Sequence, residues 1–189
     1  MALAEAAAAH SPTLLVDADP QSSAMRWAEL AHDTGADLAA NVVSLPTRDL
    51  SRRLAAIAER ARHVVIDTPP GRPELTAAAL EVAELVVVPL RPATADVDRV
   101  WPALDAAGRA GVAVLVVLSQ VRARSRAEAA VRKVLGAEGI AVAATVIPLR
   151  EAVAATFGTR PATVLAEVGE GLWNEVIRAR KKVTNGRKT

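Results

Sequence analysis

The chain has 189 residues, 51% of them hydrophobic, which is enough apolar material to bury a core in one domain of ordinary size. With no cysteine and a formal charge of only +2, it excludes disulfides and thiolate metal sites and fits a reducing, cytoplasmic setting. No run is apolar for the roughly 18 to 20 residues of a membrane-spanning helix, and Met1–Ala9, with Glu5 and no basic start, does not read as a signal peptide.

In chain order, the first β-rich run is Thr13–Val16, which passes straight into two carboxylates, Asp17 and Asp19, and then Pro20. Met25 and Leu30 follow at helical spacing. A second strand is expected at Asn41–Leu45, a helix through Leu50, Leu54 and Ile57, and a third strand at His63–Ile66, closed by Asp67. Further strands are expected at Leu85–Val88, Val112–Leu118 and Val142–Ile147, with helix-forming, alanine-rich segments between them. Beyond Glu175 come Arg178, Arg180, Lys181, Lys182, Arg187 and Lys188 without an acid, so residues 176–189 read as a basic tail on a domain of residues 1–175.

Short apolar strands alternating with helices predict an α/β fold, a mostly parallel sheet covered on both faces. In such a sheet ligands bind beyond the carboxyl ends of the strands, which places Asp17, Asp19, Asp67 and the Pro89–Thr94 loop along one rim. Two readings of the acids follow. Asp19 can cap a helix whose first residue is Pro20, which needs no ligand. That leaves Asp17 unexplained, since two residues earlier it points to the same side of the strand end, where like charges repel unless a divalent cation or a positioned water intervenes. Asp67, an acid ending a hydrophobic strand, suits the holding of Mg²⁺ beside nucleotide phosphates.

These motifs resemble a known family. "LLVDADPQSSAMRW" is similar to the second nucleotide motif of the ParA/MinD partition ATPases, which have a P-loop NTPase fold, and "VVIDTPPG" is similar to their Walker B strand. "AAALEVAELVVVPLRPATADV", "VLSQVRARS" and "TVIPLREAVAATFGTRPATVLAE", which carries Arg150, follow in the family's order, so the resemblance runs from about Leu14 to Trp173. It implies that Asp19 orients the attacking water, that Asp17 supports the magnesium shell, that Asp67 holds Mg²⁺ through a water, and that Ser119 and Gln120 meet the adenine base. It also implies ATP and Mg²⁺ as cofactors, dimerisation around ATP, DNA binding without sequence preference, and hydrolysis stimulated by a ParB-like partner. The work so driven would be segregation of a plasmid or chromosome, or positioning of another large assembly, in the cytoplasm or on the nucleoid.

One departure bears on all of this. The family's first strand ends in a glycine- and lysine-rich loop that cradles phosphates, whereas here no glycine precedes Gly35 and the first lysine is Lys133. "MALAEAAAAH" resembles the later part of the helix that follows such a loop, so the chain is expected to lack the Walker A strand and loop, either as a fragment or as a degenerate relative. Three carboxylates without that cradle repel ATP, and weak nucleotide binding is the expectation. The missing strand belongs in the middle of the family's sheet, so its loss is expected to leave unpaired edges or force the flanking strands together.

Two other classes compare less well or stand beside it. A response-regulator receiver shares the paired acids but needs a lysine ending its fifth strand, and "VVLSQV" has none. A non-catalytic binding adaptor is the other reading, in which Arg178, Arg180, Lys181 and Lys182 neutralise DNA phosphates, against the plainer reading of a solvated end.

Overall fold

A computed structural model of the chain describes residues 1–161 and 163–186, with side chains described at all of these except 94, 95 and 183–186. The last part of the basic tail, residues 187–189, lies outside the described residues. The elements alternate as α1 (Ala2–Ala8), β1 (Thr13–Asp17), α2 (Ser23–Asp33), β2 (Asn41–Ser44), α3 (Leu50–Ile57), β3 (His63–Asp67) and α4 (Pro73–Leu80). They continue as β4 (Leu85–Leu90), α5 (Thr94–Arg109), β5 (Ala113–Val121), α6 (Arg126–Ala137), β6 (Val142–Pro148), α7 (Glu151–Ala154) and α8 (Thr163–Gly186). Each strand expected from the sequence forms. Strand β5 continues to Val121, so Ser119 and Gln120 lie within its last residues rather than beyond it.

The chain divides into two compact units, Met1–Val82 with Ala152–Glu170, and Ala83–Glu151 with Gly171–Thr189. The first contains a parallel sheet in the order β2-β1-β3. Its central strand reads TLLVD, and all five residues are buried because helices cover both faces. Alternation along a strand sends Leu14 and Val16 to one side, where they pack with Leu50 and Leu54 of α3 and Ala78 and Ala79 of α4. Leu15 faces the other way, into a cluster with Ala4 of α1, Ala24 of α2 and Ala40. Thr13 and Asp17 share the Leu15 side by the same alternation.

The second unit holds a parallel sheet in the order β4-β5-β6. Val116, Leu118 and Val121 of β5 and Leu90 of β4 pack with Val100 and Leu104 of α5 and Val131 and Leu135 of α6. The stretch read as a basic tail is helical as far as it is described, continuing α8 to Gly186. Among the described residues β3 bonds only to β1, and β4 only to β5.

The sequence reading of a helix starting at Pro20 is corrected. Asp19 Oδ1 instead accepts the amide of Gln21 at 2.9 Å, closing a turn, and Ser22 takes a left-handed conformation at φ 51°. The helix therefore begins three residues later, at Ser23.

Candidate functional site

The first unit brings the three predicted carboxylates together. Asp17 and Asp67 end neighbouring parallel strands and are register partners, so their side chains leave the sheet on the same face, the one covered by α1 and α2. The amide of Ala18 donates to the carbonyl of Asp67 at 2.9 Å, which ties the start of the Asp17–Asp19 loop to the end of β3. Asp19 follows on that loop.

Their environments differ. Asp17 is fully buried, and its carboxylate is spent on backbone: Oδ1 accepts the Asp19 amide at 3.1 Å and Oδ2 accepts the Met25 amide at 2.9 Å. Met25 is the third residue of α2, whose first-turn amides have no partner within the helix. Asp17 thus performs from the strand the capping that the sequence reading gave to Asp19. The signal was present in Asp17 lying at the end of an apolar strand, but only the fold shows which amides reach it.

Asp67 stays exposed at its outer edge and is crowded by protein beneath. Burial pushes its carboxyl up from the usual range, the charges of Asp17 and Asp19 push the same way, and the amino group of Met1 opposes them. The negative charges of Asp17 and Asp19 beside it give Asp67 an electrostatic reason to attract a cation. Asp19 faces an open cleft of about 140 Å³ lined with Pro20, Gln21, Pro69, Pro70 and Arg72. Such a volume is small beside the about 300–1,000 Å³ of small-molecule pockets in general.

As a donor set for Mg²⁺, Asp67 and Asp19 suit a hydrated ion held through water. Both oxygens of Asp17 are turned to amides, and among the described residues no three histidine, aspartate or glutamate side chains form a direct metal-binding group. The amide-rich cradle that triphosphate requires is not supplied by the loop itself, since the Asp19 and Met25 amides are committed to Asp17 and the Gln21 amide to Asp19.

The remaining predicted residues lie in the second unit. Ser119 is half-buried and Gln120 is exposed at the end of β5, where φ of 54° at Gln120 breaks the strand's regular path. On α8, Arg178, Lys181 and Lys182 are exposed and, at spacings of three and four, share a face. Arg180 is half-buried and paired with Glu84. Sequence reasoning missed Arg132 and Glu175, two charged side chains bonded to the backbone of β6, because spacing along the chain gives no hint of those contacts.

No family model matches the sequence. A carboxysome distribution protein A, described as "Maintenance of carboxysome distribution protein A", from Gloeobacter kilaueensis is 36% identical over 131 residues, or 67% of this chain. The chain spans 58% of the length of that relative. Among solved structures, the cell division ATPase MinD of Pyrococcus furiosus superposes with a TM-score of 0.71 at 17% identity, covering 94% of this chain and 91% of that one. A putative plasmid partition protein of Borrelia burgdorferi, solved with AMPPNP, also gives 0.71, at 13% identity and over 94% and 90% of the two chains. The two structures share the fold and the relative shares the sequence, and on both grounds the chain is a ParA/MinD-like protein with the P-loop NTPase type of α/β fold.

Proposed function

We propose that the chain takes part in ParA-type positioning of a large cargo, a plasmid, a chromosome region or a protein assembly, through a nucleotide-dependent dimer switch on DNA. The observation that carries this reading is that Asp17 and Asp67 leave one face at the ends of two paired parallel strands, with Asp19 close by on the loop that Ala18 ties to the end of β3. In this reading Asp67 holds Mg²⁺ through water, Asp19 orients the attacking water of ATP hydrolysis, and Asp17 supports the shell by fixing the loop that carries Asp19. Ser119 and Gln120 are proposed as contacts to the base. Magnesium, when bound, neutralises phosphate charge.

The polypeptide alone is expected to hold Mg-ATP weakly, because the carboxylates attract the metal but repel the phosphates, and the loop amides that could receive phosphate oxygens are already engaged. Calorimetry with Mg-ATP on the chain and on Asp67→Ala tests it. Weak uptake that Asp67→Ala abolishes supports the reading; equal heats from both proteins reject the metal role.

A second reading, a DNA- or partner-binding adaptor without catalysis, is favoured by the small cleft together with the basic face of α8. Here Arg178, Lys181 and Lys182 bind phosphates, and Arg180, engaged with Glu84, contributes less. Removing one phosphate-neutralising side chain should lower the slope of log affinity against log salt by about 0.9 on duplex DNA. Triple replacement of the exposed three by alanine, with an unchanged salt slope, would reject this face as the DNA-binding surface. A ParB-like stimulating partner and residence on the nucleoid belong to the first reading and are tested by partner-dependent ATP turnover.

A further inference from the structure

A strand at the rim of a sheet presents backbone groups to which another chain can add a strand, unless something blocks them. Among the described residues β6 is such a rim strand of the second unit's sheet. Its pairing with β5 is irregular: Val116 is opposite Val142, but Leu118 is opposite Val146, so Ala143, Ala144 and Thr145 form a bulge. A bulge frees backbone groups from the ladder, and these must bond elsewhere.

Two charged side chains take them up. The Arg132 guanidinium of α6 donates to the carbonyls of Ala143 and Ala144 at 2.7 and 3.3 Å. The Glu175 carboxylate of α8 accepts the amides of Ala144 and Thr145 at 2.7 and 2.8 Å. Both clamping groups are themselves placed by their helices. Arg132 Nε donates to Glu128 Oε1 at 3.0 Å one turn earlier, and the Glu128 amide donates to Ser125, the cap of α6. One turn before Glu175, Gly171 lets α8 lie against the bulge, for a Cβ there would come 2.8 Å from Thr145 Oγ1.

Charge-assisted bonds from opposite signs thus cover donors and acceptors of the same three residues, which is more than capping a helix or balancing a surface requires. We propose that Arg132 and Glu175 form a clamp that closes the β6 edge to strand pairing with a second copy of this chain. Without the clamp, the amides and carbonyls of the bulge become a template for self-association.

The test uses the full chain with Arg132→Met and Glu175→Ala combined. Sedimentation velocity over a range of concentrations is expected to show larger, concentration-dependent species that the wild type lacks. Adding Ala144→Pro, which removes one donor and places a ring in the ladder, should return sedimentation to that of the wild type. A folded double variant that sediments like the wild type, or association that Ala144→Pro leaves intact, overturns the proposal. Should the double variant not fold, Glu175→Gln decides by amide exchange, since its one acceptor oxygen serves two donors. Exchange about tenfold faster at Ala144 and Thr145 supports the clamp, and unchanged exchange overturns it.

Discussion

Asp17 and Asp67 lie opposite each other on paired strands, yet Asp17 is sealed from water and bonded to two amides while Asp67 remains open to solvent. Register puts them side by side, and the neighbouring chain separates their roles. The amides of Asp19, on the loop after β1, and of Met25, in the first turn of α2, both turn to Asp17, whereas the loop after Asp67 runs through Pro69 and Pro70, which have no amide to offer.

Asp17→Ala should therefore be costly. It leaves the amides of Asp19 and Met25 without their acceptor and opens a polar void at the foot of α2. Bonds to charged groups and loss of a cap together suggest a loss of about 3 kcal/mol, read by urea denaturation. Asp17→Asn should fall between, because its amide keeps one acceptor oxygen.

Asp67→Asn should act in the opposite direction. The carboxyl is held above its usual range, mainly by burial, so the fold binds its proton more tightly than the unfolded chain does. Its favourable contribution is present below the unfolded pKa and is lost as pH rises through the folded value. At neutral pH the ionised group is a liability, and the neutral amide should raise Tm, by about 1–2 °C because solvent screens an exposed group. The gain should vanish in acid, and a variant that melts lower than the wild type at pH 7 would contradict it.

Glu175 gives the reverse pH dependence. Burial pushes its carboxyl up, but the hydroxyl and amide of Thr145, the amide of Ala144 and the charge of Arg178 outweigh it, and the net shift is downward. The stability it supplies is present above the unfolded pKa and is lost as pH falls through the depressed folded value. Melting curves from pH 6 downward should fall less steeply for Glu175→Gln than for the wild type.

Gly169→Ala tests the packing of α8 on α1. A Cβ at this position would lie 2.5 Å from the carbonyl oxygen of Ala2, and backbone cannot rotate away as a side chain can. Overpacking of this kind costs about 1–3 kcal/mol, although alanine is otherwise the better helix former. Denaturation midpoints that rise on substitution would show that α1 yields.

The strands were legible in the sequence because each is a short apolar run bounded by helix-forming or turn residues, a pattern set by local composition and alternation. The parallel arrangement followed from strands alternating with helices, and the placing of Asp17 and Asp67 at neighbouring strand ends followed from that. The family resemblance was carried by the order of the same motifs.

Other features depended on contacts between distant residues, to which spacing is blind. Whether Asp17 or Asp19 caps α2 was decided by which amides the folded loop brings within reach, and the start of the helix moved from Pro20 to Ser23 accordingly. The pairing of Arg180 with Glu84, and of Arg132 and Glu175 with the β6 backbone, arose in the same way. Sequence by itself determined which segments become strands and helices and which acids end the strands, since those are properties of neighbouring residues. Tertiary structure alone decided which of those acids stays available, because a carboxylate's role is set by the donors that packing delivers to it.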